Sequence, residues 1–266
     1  MEQDMMKLVM DEVVKRLGTN APAAEEKKII TPADCCVPAS CTEFIGTAIG
    51  HTIGLVIANV EGRLHELMGI DKKYRSIGII SDRIGAGPQL MAADEAVKAT
   101  NTEIISAEMP RDTVGGCGHG ALIVFGAEDV SDARRAVEVT LKEVPKYFGD
   151  VWANDVGYLE LQYTARASQC LNKALGAPIG KAFGLVLGAP AGIGVVISDT
   201  ALKAAEVEPF AYCSPSHGTS LTNESFVMIS GDSGAVRQAS ISARDVGLKL
   251  LHAMGTKPES GSVPSI

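Results

Sequence analysis

Three kinds of side chain in this sequence could do chemistry: clustered cysteines, two histidines beside glycine, and two glycine–proline turns. Cys35, Cys36 and Cys41 fall close together, and Cys117, Cys170 and Cys213 stand apart. The cluster lacks the C-x-x-C spacing of a zinc knuckle or a thioredoxin site. The thiols are expected to be reduced and incidental, as in most cytoplasmic chains. The alternative is an electron carrier, with an iron–sulfur cluster held by Cys117 or by the Cys35–Cys41 group. His119 and His217 each precede a glycine. Histidine at such a place can ligate a metal or act as a base, but no carboxylate stands at a recognisable spacing from either. A hydrogen-bonding role is expected for both. Gly85-Ala86-Gly87-Pro88 and Gly188-Ala189-Pro190-Ala191-Gly192 fit neither the Walker spacing nor the dinucleotide fingerprint. No nucleophile–base set or carboxylate pair at catalytic spacing is present. The expectation is therefore no enzyme, no catalytic residue, no metal and no cofactor.

Composition points the same way. The 266 residues are 46% hydrophobic but only 5% aromatic, with 28 glycines. Such a chain suits closely packed β–α layers. Its net charge of −8 disfavours nucleic acid as a partner. No apolar run approaches the roughly 20 residues of a membrane span. The first residues carry Glu2, Asp4, Asp11 and Glu12, unlike a secretory leader. A cytoplasmic location is expected.

The elements that must position these residues come in two sets. Ala93-Asp94-Glu95-Ala96-Val97-Lys98-Ala99 matches Ser198-Asp199-Thr200-Ala201-Leu202-Lys203-Ala204, so that Asp94 and Asp199 lie 105 positions apart. Ala121–Gly126 matches Phe226–Gly231 at the same offset of 105. An unchanged offset over two blocks means equal element lengths between them. Asp132–Ala136 matches Ala235–Ala239 at 103, and the shortening falls in a turn, where it is tolerated. Three segments are expected: 1–42, an amphipathic helix and flexible linker; 43–150, the first copy; and 151–266, the second copy with a short tail.

Within the copies, β-branched and apolar runs at Ile53–Ala58, Ile77–Ser81, Glu103–Ala107 and Ala121–Phe125 read as strands. Tyr158–Tyr163, Ala182–Leu187, Glu208–Tyr212 and Phe226–Ser230 are their counterparts. Helices are expected at Glu61–Met68 and Ser168–Leu175, each closed by a glycine (Gly69, Gly176). Others are expected at Gln89–Ala99 and Gly194–Ala204, and at Val130–Leu141 and Gly234–Leu251. Each copy is thus an α+β unit with helices against a mostly antiparallel sheet. In Met1–Gly18, apolar Met6, Val9, Met10, Val13 and Leu17 recur at helical spacing. A helix this short needs a groove to dock in.

The second copy's Asp199-Thr200-Ala201-Leu202-Lys203-Ala204-Ala205-Glu206-Val207 and Gly231-Asp232-Ser233-Gly234-Ala235-Val236 resemble the helix and turn of the bacterial microcompartment domain. The first copy carries both in weaker form. The strand and helix that normally close the domain come first here. That order resembles the tandem, circularly permuted shell proteins, of B type in propanediol-utilisation compartments. Tyr74–Ile79, Gly85–Pro88, Ala92–Asn101 and Pro110–Thr113 extend the likeness, which covers about 43–266.

The resemblance implies a structural tile: two tandem domains of ferredoxin-like α+β fold, three chains forming a pseudohexameric trimer, and plates tiling with other shell proteins. It places the loops between the central strands at the symmetry axis. There Pro110, Arg111, Asp112, Gly115, Gly116, Gly118, His119 and Gly120 would meet Ser214, Pro215, Ser216, His217, Gly218, Thr219 and Ser220. Their polar groups would pass small polar metabolites such as diols. Lys98, Lys203 and Arg166 would make shell-edge contacts. Residues 1–18 would tether encapsulated enzymes. A small-molecule-binding regulator is a further alternative, since ferredoxin-like repeats also serve that role.

Overall fold

The computed structural model describes residues 42–112 and 119–266. The strands form where β-branched and apolar residues run between glycine-bearing turns. They are β1 (Thr42–Ala48), β2 (Thr52–Ile57), β3 (Ser76–Asp82), β4 (Glu103–Glu108) and β5 (Ala121–Ala127) in the first copy. The second copy supplies β6 (Val151–Ala153), β7 (Tyr158–Thr164), β8 (Ala182–Ala189), β9 (Glu208–Cys213), β10 (Ser225–Gly231) and β11 (Glu259–Ser260). The helices are α1 (Gly62–Leu67), α2 (Gly87–Lys98), α3 (Val130–Phe148), α4 (Gln169–Leu175), α5 (Ala191–Ala204) and α6 (Ser233–Met254). All pairings are antiparallel. The sheet orders are β1-β2-β3-β5-β4 and β11-β6-β7-β8-β10-β9.

The register carries the repeat. Ile77 faces Gly126 in the first sheet, and Ala182 faces Gly231 in the second. Both members move by the 105 positions found in the sequence. Each β4-type edge strand has one bulge, skipping Ile105 in one copy and Phe210 in the other. Those two residues are again 105 apart, so even an irregularity of the ladder is duplicated.

Several element ends differ from expectation. The third helix was expected to stop at Leu141, yet it runs through Pro145 to Phe148. Val144, Tyr147 and Phe148 continue its buried stripe, and this packing outweighs the hydrogen bond that the proline removes. The last helix reaches Met254 rather than Leu251. Strands β1, β6 and β11 were not anticipated. Gly46 and a register shift interrupt the alternation of β1, and β6 and β11 have only three and two residues.

The two sheets bury their faces differently. One face of the second sheet, with Leu159, Leu161 and Val186, packs on α5 and α6. The other carries Phe183, Leu185 and Leu187 into one continuous core with α2 of the first copy. The first sheet packs one face on α3. On its other face, Ile53, Leu55, Ile57, Ile79 and Leu122 remain half-buried.

Candidate functional site

The seam between the copies is built on α2. Nearly every residue from Pro88 to Ala96 is buried, because α2 packs on α3 to one side and on α4 and β7 to the other. Asp94 sits at its middle with no exposure. The Ser168 N–H donates to Asp94 Oδ1 at 3.0 Å, the Leu171 N–H donates to it at 3.1 Å and the Ser168 hydroxyl donates to it at 2.6 Å. The carboxylate of one copy thereby caps the start of α4 in the other, taking up N–H groups that lack helical partners. Lys98 Nζ lies 3.0 Å from Asp94 Oδ2 and balances its charge.

Near the start of α2 the seam holds a partly open cavity of about 120 Å³. Gly85, Ala86 and Gly87 form one wall, and Leu90, Leu185 and Leu187 form apolar sides. Ala86 holds φ at +75°, a strained backbone for a residue with a side chain. The polar wall comes from His119, Glu160, Ser220 and Glu224. His119 Nδ1 lies 3.2 Å from Glu224 Oε1, and the Tyr158 hydroxyl donates to Glu224 Oε2. Glu160 Oε1 has no hydrogen-bond partner among the described residues. Burial, with Glu224 close by, pushes Glu160 up to about 8. Burial does the same to nearby Asp82, also to about 8, against the pull of backbone groups of Ala121 and Ala86. An ideal Cβ on Gly87 would stand 1.6 Å from Glu160 Oε1, so any side chain here must displace this carboxyl.

The two expected pore loops meet at this cavity through His119 and Glu224. No carboxylate stands at a recognisable spacing from His119 in the sequence; the one opposite it comes from the other copy, where no spacing rule reaches. Pro110 and Arg111 are exposed, and the Gly120 N–H donates to the Pro110 carbonyl at 2.9 Å. Asp112 is held by Arg83 through two bonds of 2.9 Å. Gly115, Gly116, Gly118 and Cys117 lie outside the described residues, as do Cys35, Cys36, Cys41 and residues 1–18. In the second loop, Ser214 and His217 close a tight turn by mutual backbone bonds of 2.8 Å. Pro215 is half-buried, and Ser216, His217, Gly218 and Ser220 are exposed. Thr219 differs from the rest. It is fully buried and its hydroxyl donates to the Ser214 carbonyl at 2.8 Å, so it braces the loop and presents no hydroxyl to a channel.

The two lysines expected at the shell edge are unlike. Lys203 has 76% side-chain exposure and pairs with Asp199 at 2.7 Å. Lys98 has 27% and is spent on Asp94 and Glu95. Arg166 is exposed. Cys170 is buried, with its thiol pushed far up by that burial, and so is inert. Among the described residues no group of three or more His, Cys, Asp or Glu could hold a metal ion. No described helix is long and apolar enough to cross a membrane.

Sequence reasoning missed Asp82, Asp94, Glu160 and Glu224. One signal was legible. Tyr158-Leu-Glu-Leu-Gln-Tyr-Thr alternates polar and apolar residues, the pattern of a strand with one wet face. Both faces are buried, so the polar set marks the seam.

Duplicated α+β units sharing a core, with unequal loops converging at their junction and no catalytic set among the described residues, define a structural repeat protein. Residues 76–156 and 182–257 match the BMC domain family. The matches leave out the strand–helix unit that precedes each block, as circular permutation requires. The chain belongs to the bacterial microcompartment shell proteins and is a structural component, not an enzyme. It is 55% identical to the shell protein PduB of Citrobacter freundii over 97% of this chain and 96% of that one. A crystal structure of a trimeric microcompartment shell protein PduB superposes with a TM-score of 0.80 at 53% identity, covering 84% of this chain and 99% of that one. The structure of EtuB from Clostridium kluyveri gives 0.81 at 57% identity, covering 84% and 98%.

Proposed function

We propose that three copies of this chain close into a pseudohexameric plate, and that such plates tile the shell of a propanediol-utilisation compartment with other shell proteins. The observation that carries this reading is a leftover plug and socket. Within the chain, α2 is covered by α4 and by the face of the second sheet that carries Phe183, Leu185 and Leu187. The counterpart of α2 is α5, whose Val195, Val196 and Leu202 are exposed. The counterpart of the covering surface is α1 with the outer face of the first sheet. There Leu64, Leu67 and Met68 are exposed and Ile53, Leu55 and Ile57 are half-buried. The unused surfaces are therefore α5 at one end of the chain and α1 with its sheet at the other. Surfaces that fit head to tail close into a ring, and repeating the internal geometry makes six copies from three chains.

In that ring the loops at 110–120 and 214–220 line the approach to the axis, with Arg111, His119, Ser216, His217 and Ser220 offering polar groups to metabolites such as diols. The small cavity at each seam is a second route. Arg166 and Lys203 face neighbouring plates, with Lys98 behind them. Residues 1–18 tether cargo. Residues 43–150 and 151–266 are the two units of each tile, a division supported by the presence of two separate sheets.

Sedimentation of the full chain tests the ring. The wild type is expected to run as a trimer and Val196→Asp as a folded monomer. A V196D trimer as tight as wild type would defeat the reading.

A further inference from the structure

The seam cavity gathers more carboxyl groups than its surroundings can balance. Glu160 from β7 and Glu224 from the second loop line it, and Asp82 at the end of β3 lies near. All three are essentially buried. The groups around them can be taken element by element among the described residues. The loop after β3 brings Arg83, which is taken by Asp112. The loop at 110–120 brings Arg111, exposed, and His119, set against Glu224. β7 brings Tyr158, which donates to Glu224, the neutral amide of Gln162, which pulls only weakly against the burial of Glu160, and no cation. β9 ends in Cys213, and the second loop adds His217, which is exposed. Helix α2 keeps Asp94, Glu95 and Lys98 paired at its far end. Lys173 of α4 donates to the Ile104 carbonyl. β8 and β10 contribute no charged side chain. No cation therefore stands opposite Glu160, whose Oε1 is orphaned over the Gly87 backbone.

We propose that the seam is closed by protons: Glu160 and Asp82 lie near each other at the joint as neutral acids, and their ionisation loosens the joint and admits water deeper between the copies. A neutral acid can sit in an apolar seam at modest cost, whereas two carboxylates with no counter-charge cost far more. Their raised proton affinities, about 8 for each, put the change just above neutrality. Opening would join the cavity to both faces of the plate. That last step rests on the passage role given to the seam above; the proton lock does not.

The test uses the full-length wild type, Glu160→Gln and Asp82→Asn. Infrared difference spectra between pH 6 and 10 read the carboxylic-acid C=O stretch directly. The wild type is expected to show the acid band at pH 7 and to lose it near pH 8. Each variant is expected to lose about half the amplitude. Hydrogen exchange, corrected for the intrinsic rate, then follows the backbone at 85–90, 158–162 and 185–188. In the wild type, opening is expected to rise at least tenfold between pH 7 and 9.5, and E160Q should blunt that rise. Absence of the acid band in the wild type at pH 7 would overturn the proposal. So would an acid band whose loss leaves exchange at the seam unchanged. Sedimentation of the same samples separates failure of the lock from failure of the trimer.

Discussion

At the scale of single residues, the seam is held by a few side chains with no slack. Asp94 accepts from α4 while paired to Lys98, so removing its charge strands buried donors. Asp94→Asn is expected to cost about 2–3 kcal/mol, in line with hydrogen bonds to a buried charge. Chemical denaturation against the wild type checks this, and a cost under about 0.5 kcal/mol would show that the cap is dispensable. Gly87→Ala drives a methyl into Glu160 and is expected to cost about 1–3 kcal/mol by overpacking. Glu160→Ala should remove much of that cost, so a double-mutant cycle should show strong coupling between the two sites. These roles were opaque in the sequence. Asp94 pairs with Lys98 one helical turn on, a contact within reach of spacing rules, but its contacts to Ser168 lie 74 positions away. Spacing arguments see one element at a time.

At the scale of elements, the strands and helices of both copies were legible because periodicity and glycine punctuation agree with the packing. What escaped was short or irregular: β1 with its bulge, β6 and β11. The last of these belongs to a strap. In residues 259–266, Glu259 and Ser260 pair with Ala153 and Trp152 of β6, and the Asp150 carboxylate accepts from the Ser265 N–H at 3.0 Å and the Ile266 N–H at 3.1 Å. The strap covers the edge of the second sheet, which would otherwise offer unpaired backbone groups. Asp150→Ala is expected to release it, seen as a loss of hydrogen-exchange protection at 259–266 of tenfold or more. The strands of the central second sheet should keep theirs.

At the scale of the whole molecule, proton linkage sets how stability varies with pH. Glu160 and Asp82 ionise more readily unfolded than folded. Their contribution is complete below the ordinary carboxylate range and is lost as pH rises towards about 8. The thermal midpoint of the wild type should therefore fall between pH 5 and 8 and flatten above. The double variant Glu160→Gln, Asp82→Asn should show a shallower fall. Equal slopes would mean that neither acid keeps its proton in the fold.

The joint at Asp94 lies inside one chain, and this has a consequence for supply and dilution. In a ring of three such chains, half of the joints are tied by peptide bonds and hold at any concentration. The others obey mass action and come apart as the protein is diluted. Damage or exchange in a shell would then proceed by whole chains, two copies at a time, and a single domain would never be released.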